Sequence, residues 1–343
     1  MTLLTSHNPI RPMPADTAAE LMRMFVDQDT DALLVGACLA LLAQRDPSAE
    51  ELHAFASTLL AEAQPFDRGD LAVLDVVGTG GDGAFTPNLS TLSSLLLGHL
   101  GVPVAKHGNR AATSTCGSAD LMEALGYDLA RAPSQLRRDL DVHHFAFLFA
   151  PAYHPLLGRL REIRRRLGIP TIFNLLGPLL NPARPTYQVL GVARDTLLEP
   201  MAGALAQLGL QRGFVIHGKN AQGDGMDEAS IEGPTRVLEL RDGKVLAMEV
   251  LVPRDLAIAA PQRDALRVKD RAQALAVARG CLHGSRSPDF RPAVADAVAL
   301  QAGLGLLLHR DASLSELPST MHECRDVLEN GFDAPLPAQE IAA

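Results

Sequence analysis

The sequence predicts an α/β protein in which a small N-terminal helical domain precedes a larger α/β domain with a central, mostly parallel sheet flanked by helices. Three observations carry this prediction. Helical runs fill the region before residue 66. From residue 70 onward, short apolar runs rich in β-branched residues alternate with helical runs, which is typical of a covered parallel sheet. Each strongly polar loop directly follows one of those apolar runs, where ligands gather in such sheets.

Composition and charge restrict the function classes. The chain has 343 residues, more than one average domain, and 47% of them are hydrophobic and 21% charged, as in ordinary globular proteins. Its formal net charge of −9 disfavours nonspecific binding to nucleic acid or to an anionic membrane, because both require a basic face. We therefore expect small-molecule substrates as partners, and neither a nucleic acid nor a membrane.

The cysteines and the absence of targeting signals predict a compartment. The four cysteines lie far apart and form no C-x-x-C pair, so neither a disulfide framework nor a zinc site is predicted. The N-terminus lacks the charged and then apolar layout of a signal peptide, and no apolar run approaches 18 residues. These features predict reduced thiols and a cytoplasmic location.

The first region is predicted to be helical. Two sequences of the form [ST]-x-x-E, beginning at Thr17 and at Ser48, match capping boxes, in which side chains satisfy the free N–H groups of a helix start. A strongly apolar helix is predicted between them, over residues 30–44. Because a proline and a glycine follow near residue 65, we predict a helical domain over residues 1–68.

The alternation of strands and helices defines the second domain. Seven apolar runs are predicted as strands, over residues 71–77, 102–105, 145–149, 187–192, 213–216, 237–240 and 245–250. Residues 155–182 interrupt the alternation and are predicted to pack against the helical domain. The α/β domain then consists of residues 69–154 and 183–343, and the helical runs near its C-terminus are expected to cover the sheet.

The stretch 75–91, DVVGTGGDGAFTPNLST, turns an apolar strand into a glycine-rich loop and then into a helix start. Glycines let backbone N–H groups approach an anion closely, and a helix N-terminus adds unpaired donors and a partial positive charge. The order of strand, loop and helix therefore predicts a cradle for phosphate.

A dinucleotide site and a purely structural glycine turn are the alternatives to that cradle. The loop satisfies G-x-G-x-x-G, but dinucleotide sites also need an acidic residue about 20 positions on. Here the corresponding region is KHGNR, residues 106–110, which is cationic and contains no acidic residue. The sequence also lacks the G-x-x-x-x-G-K-[ST] pattern of nucleotide triphosphatases. A different polyanion therefore fits this chain better.

Further polar groups could complete a site for a phosphorylated ligand. The KHGNR run, with the polar residues 111–118 after it, can surround a diphosphate with charge-assisted bonds, although a solvated loop is the alternative. Asp227 and Glu228 follow a glycine turn, and Mg²⁺ prefers one or two carboxylates together with phosphate oxygens and water. Adjacent acids are also common on surfaces. One arginine of the run 164–166 could bind a carboxylate, but the periodicity does not select which.

Together these motifs resemble those of the anthranilate phosphoribosyltransferases of tryptophan biosynthesis, over about residues 17–330. The motifs that carry the resemblance are GTGGDG (78–83), NLST (88–91), KHGNR (106–110), CGSAD (116–120), FAP-x-x-H (149–154), FN-x-LGPL-x-NP (173–182) and MDE (226–228). The resemblance implies the same two-domain α/β fold and a homodimer formed through the helical domain.

The resemblance also implies the site residues. It implies binding of 5-phosphoribosyl 1-diphosphate (PRPP) by Gly78, Gly81, Asp82, Thr86, Asn88, Ser90, Thr91, Lys106, His107, Gly108, Asn109, Arg110, Ser114 and Ser118. The implied cofactor is Mg²⁺, held by Ser90, Asp227 and Glu228. The acceptor positions are matched by Gly78, Asn109 and Arg164. No side chain, His107 included, is assigned as a general acid or base.

The implied reaction is transfer of the 5-phosphoribosyl group from PRPP to the amine of anthranilate, which gives N-(5-phosphoribosyl)anthranilate and diphosphate. Residues 155–170 and the loop 217–226 differ from the usual family pattern, so another aromatic amine is an alternative acceptor. Two further alternatives are a nucleoside phosphorylase of the pyrimidine type and a non-catalytic paralogue that serves as a binding module.

Overall fold

The computed structural model describes residues 9–111, 116–259, 261–262 and 264–337. This part of the chain opens with three helices, α1 (Ala15–Val26), α2 (Ala32–Leu42) and α3 (Ala49–Ala61). They confirm the predicted N-terminal helices, although α2 is two residues shorter at each end than the predicted run 30–44.

One of the two predicted capping boxes is present. Ser48 accepts a bond from the Glu51 amide, and the Glu51 carboxylate accepts one from the Ser48 amide, so the prediction at α3 is confirmed. The prediction at Thr17 is wrong, because α1 already begins at Ala15 and Thr17 is buried inside it. Pro14 precedes that helix, and proline starts a helix without losing a hydrogen bond.

In the described part of the chain, eight strands form one sheet. They are β1 (Leu74–Gly78), β2 (Val104–Gly108), β3 (Phe145–Phe149), β4 (Tyr187–Gly191), β5 (Arg212–Lys219), β6 (Gly225–Met226), β7 (Thr235–Arg241) and β8 (Lys244–Leu251). The order is β3-β2-β1-β4-β5-β7-β8, with β6 paired to β5. Strands β1 to β5 are parallel, whereas β6, β7 and β8 are antiparallel to their neighbours. The prediction of a mostly parallel sheet is confirmed.

Further helices lie between the strands and after the last one. They are α4 (Leu89–His99), α5 (Ser118–Ala124), α6 (Pro133–His143), α7 (Ala150–Tyr153), α8 (Leu157–Leu167), α9 (Phe173–Leu176), α10 (Leu198–Gln207), α11 (Arg271–His283), α12 (Pro292–His309) and α13 (Leu317–Asn330). Within the described ranges α12 alone is long and apolar enough to cross a membrane. Because 78% of it is buried, it is the central helix of the core.

Two hydrophobic cores lie on opposite faces of the sheet. Val189 and Phe214 pack with α4 and α12, whereas their chain neighbours Leu190 and Val215 pack with α1, α3 and α10. Successive strand side chains point to opposite faces, so one strand serves both cores.

Helix α8 packs against the N-terminal helices. Its Leu160 and Ile163 belong to the same core as Phe25 and Leu39. Strand and α10 side chains complete that core, so the helical and α/β parts are joined by shared packing. The division into residues 1–68 with 155–182, and 69–154 with 183–343, stays a prediction.

Candidate active site

Asp227 and Glu228, called here the acidic pair, lie at the C-terminal ends of β1 and β4. Gly78 ends β1, Gly191 ends β4, and the two are register partners. A Cβ atom on either glycine would come closer than 3.0 Å to the carbonyl oxygen of Asp227. Only glycine therefore lets the segment that carries Asp227 lie directly on the two strand ends.

The glycine loop after β1 is attached to the same acidic pair. The Gly80 amide donates to Asp227 Oδ2 over 2.6 Å, and the Thr86 hydroxyl donates to Glu228 Oε2 over 2.9 Å. Gly81, between these two bonds, is exposed and has a φ of 83°, a value that favours glycine. The loop can thus present its backbone N–H groups to solvent while both of its ends stay fixed.

Three carboxylates gather beside this loop. Burial and then the charge of Asp82 raise the pKa of Glu228 to about 8. Burial also raises the pKa of Asp227 well above its usual range, and the charges of Asp82 and Glu228 act in the same direction. The Oδ2 atom of Asp82 is buried without a hydrogen-bond partner among the described residues. Carboxylates that are buried and repel one another favour a cation between them, so these residues fit Mg²⁺.

The described residues include no group of three or more His, Cys, Asp or Glu side chains arranged to hold a metal ion alone. Mg²⁺ does not require one, because it commonly takes one or two carboxylates and draws its other ligands from phosphate and water. The pair Asp227 and Glu228 therefore suits a metal that binds together with a phosphorylated substrate.

The N-terminus of α4 brings further predicted residues to the same place. Asn88 caps the helix with a left-handed φ of 51°, and Ser90 and Thr91 lie in its first turn. Lys106 Nζ lies 3.4 Å from Ser90 Oγ. Thr91 Oγ1 is buried and has no hydrogen-bond partner in the described part of the chain. The Ser90 amide donates to the Glu228 carboxylate, so the start of α4 and the polar side chains of Ser90 and Lys106 lie beside Asp227 and Glu228.

The prediction that Lys106, His107 and Gly108 belong to a loop is wrong. They are the last three residues of β2 and pair with β3. Lys106 is only 1% exposed, and its Nζ donates to the Val76 carbonyl over 2.6 Å. Burial lowers its pKa to about 8, although the charges of Asp75 and Glu228 oppose that shift. The second strand was predicted to end at residue 105, but its pairing with β3 continues to Gly108. Lys106 is therefore held by a strand and not by a loop.

The rest of the second polar loop is held by its own bonds. The Asn109 amide donates to Ser118 Oγ over 3.2 Å, and the Ser118 hydroxyl donates to the Asn109 carbonyl over 3.3 Å. Arg110 makes two bonds of 2.9 Å to Glu123 and one of 3.2 Å to Asp120. The Arg110 guanidinium therefore already pairs with neighbouring carboxylates. Ser114 lies outside the described residues.

Burial distinguishes Arg164 from the other two arginines of the run 164–166. Arg164 is half-buried, whereas Arg165 and Arg166 are exposed. The Arg164 guanidinium carbon lies 5.6 Å from the centre of the Phe173 ring, and Nη2 donates to Asn174 Oδ1 over 3.3 Å. Burial lowers the pKa of this arginine. Arg164 thus contacts α9 and not the glycine loop. It makes no direct contact with Asp227 or Glu228 among the described residues.

Sequence reasoning gave no role to several buried polar residues beneath the site. Asp75 in LDVVG and Gln188 in YQVLG are polar residues within apolar strands. This contrast in polarity was the feature of the sequence that could have marked them as important. Gln301 of α12 accepts from the Ala229 amide over 3.0 Å, directly after the acidic pair. No feature of the local sequence marks Gln301, because its partner Ala229 lies 72 residues away in the chain.

Comparison with known proteins identifies the family. A family model described as "Glycosyl transferase family, a/b domain" matches residues 70–333. An anthranilate phosphoribosyltransferase from Synechococcus sp. (strain CC9902) is 43% identical over 331 residues, which cover 96% of this chain and 90% of that protein. The chain belongs to the anthranilate phosphoribosyltransferase family. The resemblance inferred from the motifs is therefore confirmed.

Solved structures agree with membership of the anthranilate phosphoribosyltransferase family. The enzyme from Thermus thermophilus superposes with a TM-score of 0.84 at 37% identity and covers 96% of this chain and 95% of that one. The Saccharomyces cerevisiae enzyme in complex with PRPP and Mg gives a TM-score of 0.76 at 25% identity, over 94% of this chain and 92% of that one. The predicted fold class and the assignment as an enzyme of the glycosyltransferase class are confirmed.

Proposed function

We propose that this chain transfers the 5-phosphoribosyl group from PRPP to the amine of anthranilate, giving N-(5-phosphoribosyl)anthranilate and diphosphate. The observation that carries the proposal is the attachment of the glycine loop to the buried pair Asp227 and Glu228 at the ends of β1 and β4. Membership of the anthranilate phosphoribosyltransferase family supports both substrates, and the related yeast enzyme was solved with PRPP and Mg.

The donor side of the mechanism depends on positive charge and on the backbone of the glycine loop. The glycine loop and the start of α4 would bind the diphosphate, and Lys106 would add a cation beside Ser90. Asp227, Glu228 and Ser90 would hold Mg²⁺, which when bound supplies positive charge against the departing diphosphate. These groups would stabilise the charge that develops as the bond to the anomeric carbon breaks.

On the acceptor side the residues orient the substrate. Arg164 would bind the anthranilate carboxylate and so direct the amine toward the anomeric carbon. An aniline-type nitrogen is weakly basic and reacts as the free amine, so no general base is assigned.

Loss of anthranilate fluorescence tests the proposed function. Purified protein mixed with anthranilate, PRPP and Mg²⁺ should remove the fluorescence, and the same mixture without Mg²⁺ should not. No loss, together with clear calorimetric binding of PRPP, would point to a different aromatic amine. Phosphate-dependent release of a free base from a nucleoside would instead support the phosphorylase alternative.

We expect Arg164→Ala to raise the KM for anthranilate by about 100-fold, because a bidentate bond between a guanidinium and a carboxylate contributes about 3 kcal/mol. The KM for PRPP should change far less. Arg166→Ala is the matched control, because Arg166 lies on the same helix but is exposed. Steady-state kinetics with each substrate varied in turn separates the two effects. A larger loss for PRPP than for anthranilate would place this arginine on the donor side.

We further propose a homodimer formed through the helical domain, in a cytoplasmic enzyme. Helix α2 contains no charged residue, and its Leu33 is 81% exposed, which suits a face that a second copy covers. Leu33→Asp should shift the mass measured by light scattering from dimer to monomer. Val142→Asp, at another exposed apolar residue on α6, is the control. An unchanged mass for Leu33→Asp would contradict this dimer.

A further inference from the structure

Residues 177–181, called here the tethered segment, connect α9 to the region before β4. Side chains from four neighbouring strands, or from the turn after one of them, bond to it. The pairs are Gly177 O with His107 of β2, Pro178 O with Gln188 of β4, Leu180 O with His154 after β3, and Asn181 Nδ2 with Asp75 of β1. These strands are adjacent in the order β3-β2-β1-β4. One short segment is thus held across four strands.

The bond between Asn181 and Asp75 has a fixed orientation. Asn181 Nδ2 donates to Asp75 Oδ2 and to the Ala105 carbonyl, each over 2.8 Å, while Asn181 Oδ1 accepts from the Ala183 amide over 2.9 Å. Turning the amide over would set its oxygen against a carboxylate and a carbonyl. Asp75 is fully buried, and burial raises its pKa to about 6, although the charge of Lys106 and the bond from Asn181 oppose that shift.

Gln188 is the neighbour of Asp75 across the two central strands. The two are register partners of β1 and β4, so their side chains lie on the same face of the sheet. Gln188 is 1% exposed, and its Nε2 donates to the Pro178 carbonyl over 2.8 Å. Asp75 and Gln188 therefore hold the two ends of the tethered segment from below.

The two histidines add bonds whose direction is determined. His107 Nδ1 lies 3.3 Å from the Gly177 carbonyl and His154 Nε2 lies 2.8 Å from the Leu180 carbonyl, so each of these nitrogens carries the proton. Burial lowers the pKa of both, to about 3 for His107, and both rings are therefore neutral near pH 7.

The tethered segment lies between the two halves of the site. Helix α9 before it carries Phe173 and Asn174, which contact Arg164. Strand β4 after it ends at Gly191, beneath Asp227. We propose that Gln188, and Asp75 acting through Asn181, are positioning residues that keep the acceptor contacts of α9 at a fixed distance from the donor site. The proposal rests on the proposed function, because it concerns the distance between the bound donor and acceptor. A displacement of about 1 Å can slow such a transfer by about 100-fold.

Near-isosteric variants test this proposal. Gln188→Met removes the donor but keeps the side-chain length, Asp75→Leu removes the acceptor, and Asp75→Asn keeps a carbonyl for Asn181. We expect kcat per folded molecule to fall by about 10- to 100-fold in both Gln188→Met and Asp75→Leu. The KM for PRPP should stay nearly unchanged in Gln188→Met, whereas it should rise in Asp75→Leu, because the charge of Asp75 helps to keep Lys106 protonated. Asp75→Asn should retain most of the wild-type kcat. Thr320→Val is the control, because it removes a buried hydroxyl that bonds within α12 and α13.

A second measurement does not depend on the acceptor. Amide hydrogen exchange over residues 177–183, measured by mass spectrometry on the substrate-free protein, should be faster in Gln188→Met than in the wild type and in Thr320→Val. Wild-type kcat in Gln188→Met would overturn the proposal, and so would a lower folded fraction with unchanged turnover per folded molecule. Absence of turnover in the wild type itself would instead contradict the proposed function, while faster exchange in Gln188→Met would still support the tether.

Discussion

Replacing both acidic residues, as Asp227→Asn with Glu228→Gln, should lower turnover by at least about 1,000-fold while the fold stays intact. Removal of a single preorganised electrostatic contact in an active site commonly costs a factor of about 100 to 1,000. Here both carboxylates proposed for the metal are lost together. Steady-state assays over a range of Mg²⁺ concentrations would measure the loss. An unchanged rate would remove the metal assignment.

Asp224→Asn is the matched control for that double variant. Asp224 is a carboxylate close to the pair in the sequence. In the structure its carboxylate accepts from Asn220 Nδ2 over 3.1 Å in an exposed turn. We therefore expect turnover and Mg²⁺ dependence close to the wild type.

The same double variant should be more stable than the wild type when no metal is present and the pH is high. Because the pKa of Glu228 is raised from 4.5 to about 8, the folded state binds its proton more tightly than the unfolded state does. Wild-type stability is therefore lost as the pH rises through that range, and the variant avoids this loss. Thermal unfolding at pH 6 and pH 9, with EDTA, would show the difference. A variant that is less stable at pH 9 would contradict the assigned electrostatics.

Gly191→Ala is expected to damage both stability and activity. The added Cβ would overlap the carbonyl group of Asp227, which belongs to the backbone and therefore cannot rotate away. Overpacking of this kind costs about 3 kcal/mol of unfolding free energy. Displacement of the acidic pair should lower kcat/KM by about 100-fold. Denaturant unfolding and the fluorescence assay would measure the two effects.

Gly158→Ala is the control for that substitution. A Cβ on Gly158, which lies on α8, meets no other atom within 4 Å, and its φ is not positive. Alanine is the better helix former by up to about 1 kcal/mol, so this variant should be as stable as the wild type or more so. If Gly191→Ala behaved like Gly158→Ala, the acidic pair would not lie on the end of β4.

Much of the donor side could be predicted from local sequence. The glycine loop, the start of α4 at Asn88 and the adjacency of Asp227 and Glu228 are each encoded within a few residues. A strand followed by glycines and a helix start has few other physical interpretations. The order of strands and helices likewise indicated the parallel sheet, because both signals have short periods along the chain.

Only the tertiary structure decided how these parts meet, because the deciding contacts join residues far apart in the chain. The bond from Gly80 to Asp227 spans 147 residues, and the one from Asn181 to Asp75 spans 106. Neither periodicity nor composition records which buried polar groups will find each other. Burial in turn set the pKa of Glu228, the neutral state of His107 and the selection of Arg164 from three arginines. The sequence by itself therefore determined the elements and the chemistry available, and packing determined which side chains form the site.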